Sequence, residues 1–172
     1  MKKTLLLFWA PGGNVENAAR QIYRQFGPAG IEISDVASFD VQRLAEFDQF
    51  IFGGATVGAE VWTDAKQGNK WNEFFVRCAS VSFDGKKVAL FGLGDQVLYP
   101  DHFVDSLATL KEQVEKKGAK LVGKWSTDGY DFTDSESVEG DFFFGLALDE
   151  DQQPELTAGR IEKWVDQLKA EF

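Results

Sequence analysis

The chain has 172 residues, of which 44% are apolar and 27% charged, a size and mixture that suit one domain, residues 1–172, with a sizeable buried core. Its 18 basic and 28 acidic side chains leave a net charge of −10, a field that repels nucleic acid and anionic membranes. Such a surface either keeps the protein soluble or steers a partner with a basic face toward it, and composition leaves both readings open.

The predicted elements alternate. "TLLLFW" (4–9) is a continuous apolar run, as expected of a strand buried on both faces. The two lysines before it suggest a secretory leader, but the run is short, ends in Pro-Gly-Gly and has no small-residue cleavage pattern. With no run of transmembrane length either, a cytoplasmic protein is expected. "NVENAARQIYRQF" (14–26) has apolar residues at helical spacing and stops at Gly27-Pro28. "IEISDV" (31–36) alternates like a strand, "DVQRLAEF" (40–47) is a short helix, and "QFIFGGA" (49–55) is a second buried strand ending in glycines. "NKWNEFFVRCA" (69–79) is a helix whose Cys78, the only cysteine, reads as a buried structural thiol. "KKVALFGLG" (86–94) is a third buried strand, followed by a long helix, "HFVDSLATLKEQVEKKG" (102–118). Two more strands, "AKLVGKW" (119–125) and "DFFFGLALD" (141–149), flank a polar piece (126–140) that looks like an insertion interrupting the last strand. "DEDQQPE" (149–155) reads as a solvated acidic turn, and a helix over 154–172 closes the chain.

Strand followed by helix, repeated, means a parallel sheet with helices on both faces, an α/β class. Ligands of such sheets bind at the carboxyl ends of the strands. Those ends are the loops 9–15, 54–61 and 92–101, all glycine-rich. One Cys and one His, His102, do not make a zinc or iron ligand set, so no metal site is expected; His102 reads as a solvated or capping residue.

"ALFGLGDQVLYPDHFVDSL" (89–107) and the whole stretch 123–172 closely resemble flavodoxins of the long-chain type. The likeness covers nearly the whole chain and is most specific in its C-terminal half. It implies a flavodoxin-like three-layer sandwich, with a five-stranded parallel sheet of order 2-1-3-4-5 and an insertion in the last strand. It also implies bound FMN and low-potential electron transfer. The phosphate loop departs from the family pattern. Flavodoxins usually have Ser/Thr-x-Thr-Gly-x-Thr there; this chain has Ala10, Gly12, Gly13 and Val15, so three hydroxyls are missing, and Trp9 replaces a common glycine. Asn14 is the one polar side chain left. Backbone N–H groups at a helix start hold phosphate well without hydroxyls, and Gly12, Gly13, Asn14 and Val15 each carry one. Pro11 carries none and stiffens the turn. The other reading of this loop is an empty helix start.

The resemblance places Ala55, Thr56, Val57 and Gly58 in the second flavin loop. Val57 stands where the family has an inner stacking aromatic, with Trp62 a few residues on. Gly58 falls where flavodoxins flip a peptide on reduction; otherwise it closes a turn. In the third loop Gly94 precedes Asp95, whose backbone would meet the pyrimidine edge of the ring. Tyr99 would stack on the outer face, and Val104 would add a backbone contact.

The leading expectation is a monomeric electron carrier without enzymatic activity of its own. Its partners would be oxidoreductases with basic faces, such as a flavodoxin/ferredoxin reductase and acceptor enzymes. Two alternatives stay open. One is an FMN-dependent reductase that uses the space left at Val57. The other is a ligand-binding or interaction module that has lost FMN.

Overall fold

The computed structural model describes residues 1–55 and 70–172. Strands β1 (Thr4–Trp9), β2 (Ile31–Asp35), β3 (Gln49–Ala55) and β4 (Lys87–Leu93) lie parallel in the order β2-β1-β3-β4. The fifth lane is shared by two short strands. β5 (Lys120–Val122) runs beside Lys87–Ala89, and β9 (Leu146–Leu148) runs beside Phe91–Leu93 of the same β4. The sheet therefore has the expected 2-1-3-4-5 order with its last strand interrupted.

Side chains alternate across each strand, so one strand feeds two cores. Leu5, Leu7, Phe50 and Phe52 pack under α2 (Lys70–Arg77) and α3 (Ser106–Lys116). Leu6, Phe8, Ile51 and Phe91 pack under α1 (Asn14–Phe26) and α4 (Thr157–Glu171). Because both faces are covered, the inner strands β1, β3 and β4 are apolar beyond their first residues, Thr4, Gln49 and Lys87, while β2 at the edge keeps Glu32, Ser34 and Asp35. Cys78 is buried, and that burial pushes its thiol up to about 11, so it stays protonated. No helix among the described residues is long and apolar enough to cross a membrane.

Several boundaries differ from expectation. The short helix at 40–47 is a 3₁₀ segment, Val41–Glu46, started by the Asp40 side chain accepting from the Gln42 amide at 3.0 Å. The run 119–125 ends as a strand at Val122, because Gly123 turns with φ +80 and its carbonyl accepts from Trp164 Nε1 at 2.8 Å. The run 141–149 divides as well. Phe142–Phe143 is β8, the middle strand of a small antiparallel sheet with β6 (Trp125–Ser126) and β7 (Val138–Glu139), and only Leu146–Leu148 rejoins the main sheet.

The polar insertion is thus a folded unit with its own apolar anchor. Tyr130, Phe132 and Phe143 surround the fully buried Phe103, with ring centroids 5.5–5.8 Å from it. The Tyr130 hydroxyl accepts from Trp125 Nε1 at 2.9 Å and donates to the Ala147 carbonyl at 2.6 Å. Burial pushes that phenol up to about 12. The Arg160 guanidinium lies 4.0 Å from the Tyr130 ring centre, which joins the insertion to α4.

Candidate functional site

The carboxyl ends of β1, β3 and β4 meet at one edge of the sheet, and a cleft of about 240 Å³ opens there. Asn14 and Val15 line one end of it, Ala55 and Leu93 its floor, and Gly94, Asp95 and Tyr99 the other end.

Ala10 and Pro11 lead from β1 into the first loop. Gly12 turns it with φ +84, a left-handed conformation that suits glycine. Gly13, the N-cap of α1, is extended at φ −143 and brings no side chain to the helix start. A Cβ at either glycine would meet nothing within 4 Å, so the loop's outer side is open. The first bond of the helix runs from the Asn17 amide to the Gly13 carbonyl at 3.0 Å. The amides of Asn14, Val15 and Glu16 precede it and carry the positive end of the helix dipole.

Glu16 reaches back across this turn. Its Oε2 accepts from the Gly12 amide at 2.6 Å, and its Oε1 accepts from Arg20 Nε and Nη2 at 2.9 and 2.7 Å. Glu16 is the third helical residue, the capping-box position, but it bonds the amide one residue before the N-cap, and the N-cap glycine has no side chain to return. The Gly12 amide, and then Arg20, hold the Glu16 carboxyl below its ordinary value of 4.5.

Of the second loop, Ala55 ends β3 on the cleft floor. Thr56, Val57, Gly58 and Trp62 lie outside the described residues.

The third loop is tightly determined. Gly94 donates to the Leu148 carbonyl at 3.0 Å. A Cβ there would lie 3.0 Å from the Phe103 ring and 3.1 Å from the Val104 nitrogen, so close approach requires the glycine. The Asp95 carboxylate turns into its own loop and accepts from the amides of Val97 and Leu98 at 3.0 and 2.9 Å and from Gln152 Nε2 at 3.1 Å. Desolvation raises its pKa, but those donors outweigh it and the net shift is downward. The Asp95 carbonyl accepts from the Tyr99 amide at 2.9 Å, which fixes the turn that presents the tyrosine. Tyr99 is 57% exposed, and Val97 and Leu98 beside it are also largely exposed.

Val104 follows farther along the chain. It is buried behind Gly94, at φ +49, and does not line the cleft. Its carbonyl accepts from Ser137 Oγ at 2.7 Å and from the Leu107 amide at 3.0 Å. The strained backbone of this β-branched residue is held by the insertion. His102 pairs through Nδ1 with Asp105 Oδ2 at 3.0 Å.

Two lining residues were missed by sequence reasoning: Glu150 and Asp151. They belong to the turn read as solvated. Asp149, which begins it, is fully buried and accepts from Gln96 N and Nε2 at 3.0 and 2.8 Å and from the amides of Asp151 and Gln152 at 3.1 and 2.9 Å. The available signal was positional, since "LALD" closes a parallel strand and must end at the ligand edge of the sheet.

The arrangement suits a phosphate ester carrying a flat ring. Helix-start amides of Asn14, Val15 and Glu16 that no described residue bonds, with a helix dipole, lie at one end; an apolar floor and an exposed tyrosine lie at the other. The described residues hold no cluster of three or more His, Cys, Asp or Glu side chains able to bind a metal.

The family model described as "Flavodoxin" matches residues 6–164. The chain is 42% identical to a flavodoxin of Picosynechococcus sp. over 173 aligned positions, covering 100% of this chain and 99% of the relative. It is 41% identical to flavodoxin 1 of Salmonella typhimurium, covering 100% of this chain and 96% of that protein. Among solved structures, Fusobacterium nucleatum flavodoxin bound to flavin mononucleotide superposes with a TM-score of 0.87 at 30% identity, covering 100% of this chain and 99% of that one.

Proposed function

The chain belongs to the flavodoxin family, and from that premise we propose that it carries single electrons between oxidoreductases on FMN bound in the cleft at the carboxyl edge of the sheet. One observation carries the assignment to this cleft: the uncapped start of α1 and the presented ring of Tyr99 face a single cavity, with Ala55 and Leu93 between them. When bound, FMN accepts and releases electrons one at a time; the protein binds it, orients it and sets the surrounding field.

The amides of Gly13, Asn14 and Val15 receive the phosphate, helped by the dipole of a 13-residue helix. Tyr99 covers one face of the ring and excludes water from it. Asp95 fixes the loop through its carboxylate, which leaves its own amide for the polar edge of the ring. Asp95, Glu150 and Asp151 surround the ring with negative charge. Like-charge repulsion disfavours a further negative charge on the cofactor and so lowers its reduction potential. The exposed Val97, Leu98 and Tyr99 give an apolar contact on an acidic protein. That combination suits brief docking to basic faces, such as those of a flavodoxin/ferredoxin reductase and acceptor enzymes. The reductase alternative rests on space at Val57, outside the described residues, and no described feature favours it. The cofactor-free alternative gains nothing from a loop whose helix start is uncapped.

The test is a titration of FMN into the full-length apoprotein, followed by flavin fluorescence. The expected result is quenching that saturates at one FMN per chain. A fluorescence trace unaltered by the protein would overturn the assignment.

A further inference from the structure

The carboxylate of Glu16 occupies the loop that is assigned to the phosphate. Its Oε2 lies 2.6 Å from the Gly12 amide, and Arg20 grips its other oxygen with two N–H groups. We propose that Glu16 is a resident competitor for the phosphate of FMN, so that the cofactor gains the Gly12 amide only by displacing a carboxylate. This inference rests on the FMN reading above and adds a residue that sets how strongly the site distinguishes FMN from riboflavin.

The chemistry follows from charge and donor count. One N–H cannot serve two anions at full strength, and a carboxylate beside a phosphate dianion repels it. A loop with threonine hydroxyls has further donors with which to outbid such a carboxylate. Here Ala10, Gly12, Gly13 and Val15 offer backbone alone, so losing one amide removes a large share of the set. Arg20 decides where the displaced carboxylate goes. It is half exposed and one helical turn from Glu16, so it can retain the carboxylate after the Gly12 bond breaks. The released Glu16 therefore stays paired, and displacement costs one charge-assisted hydrogen bond rather than an isolated charge. The phosphate advantage of FMN over riboflavin is compressed by that amount.

Glu16→Gln separates the effects, because a neutral amide holds Gly12 more weakly and does not repel phosphate. Binding of FMN and of riboflavin to the full-length apoprotein is measured for both proteins. The expected result is FMN affinity raised about tenfold, the worth of one charge-assisted bond, with riboflavin affinity unchanged within twofold. Asp35→Asn is the control: Asp35 acts on Glu16 through space, and its carboxylate bonds the amides of Ala37 and Ser38 rather than the loop. It should leave the FMN-to-riboflavin ratio unaltered. In addition, inorganic phosphate should shift the Gly12 amide resonance at lower concentration in Glu16→Gln than in the parent chain.

An unchanged or reduced ratio in Glu16→Gln overturns the inference while FMN binding itself stands. An equal gain in Asp35→Asn also overturns it, by assigning the effect to bulk charge. Absence of FMN binding by every variant removes the parent reading and the inference with it.

Discussion

The two ends of the cleft are held in opposite ways. Among the described residues, the side-chain bond to the first loop, residues 10–15, comes from Glu16, which holds Gly12 from the next turn of the same segment. The third loop and the turn after it, residues 94–105, are fixed from far along the chain. The Pro100 carbonyl accepts from the amides of Thr133 and Asp134 at 2.8 and 2.9 Å. Ser135 Oγ donates to the Phe103 carbonyl at 2.6 Å, and Asp105 accepts from the Glu136 amide at 2.8 Å. Ser137 Oγ donates to Val104 and accepts from the Ala108 amide at 2.9 Å, capping α3 from outside. Asp149 holds Gln96 from the opposite side. The first loop is therefore a local, adjustable structure, while the third is imposed by a tertiary brace. Changes in the first should alter binding with little effect on folding; changes to the brace should alter folding and binding together.

The strongest way to break that contrast is Asp149→Ala. Removing a buried acceptor of four N–H groups should destabilise the chain by about 3 kcal/mol, since orphaned buried donors keep their full desolvation cost. Urea denaturation measures it, and a change near zero would show that the brace is dispensable. Next comes Gly13→Asp, which puts a carboxylate against the phosphate. FMN affinity should fall by at least about a hundredfold, roughly 2.7 kcal/mol, in the fluorescence titration. Folding stability should hold within about 0.5 kcal/mol, because Gly13 is extended and faces open space. Ser137→Ala should cost about 1–2 kcal/mol in the same denaturation experiment and weaken FMN as well, since Val104 and Ala108 lose one partner together.

The smallest effect is a pH dependence. The folded value of Glu16 lies below 4.5. Its contribution to stability is thus fully present above the unfolded value and is lost as pH falls through the folded one. The Gly12 amide resonance should titrate with a midpoint below 4.5, and a midpoint at or above that value would contradict the Glu16–Gly12 bond.

Most of the sheet was legible because its inner strands are buried on both faces, and apolar runs such as "LLLFW" (5–9) and "VALFGL" (88–93) have few other uses. The insertion was legible as a polar interruption of the last strand, but its internal fold was not: Ser135 and Ser137 spend their hydroxyls on buried carbonyls, and its aromatic residues are spaced irregularly around Phe103. Periodicity does not report contacts of that kind. Of the residues expected to bind the cofactor, Asn14, Val15, Ala55, Gly94, Asp95 and Tyr99 line the cleft. The left-handed backbone of Val104, held from residue 137, has no local signature in the sequence. Glu16 was passed over because a glutamate in the first turn of a helix is ordinary; only its reach to Gly12 sets it apart.

The shared fifth lane has a practical meaning. Along β4, Val122 sits opposite Ala89 and Leu146 opposite Phe91, so a single position beside Leu90 separates departure from return. Gly145 fills that position so tightly that a Cβ would lie 2.1 Å from the Leu90 carbonyl oxygen. Splicing Val122 directly to Gly145 would delete the whole excursion and keep the neighbour that β4 needs. The excursion thus leaves and rejoins the sheet at one seam, a place to graft other peptides, although a chain cut short there would lose Phe143 from the core and leave its ring-side loop to hold its shape unaided.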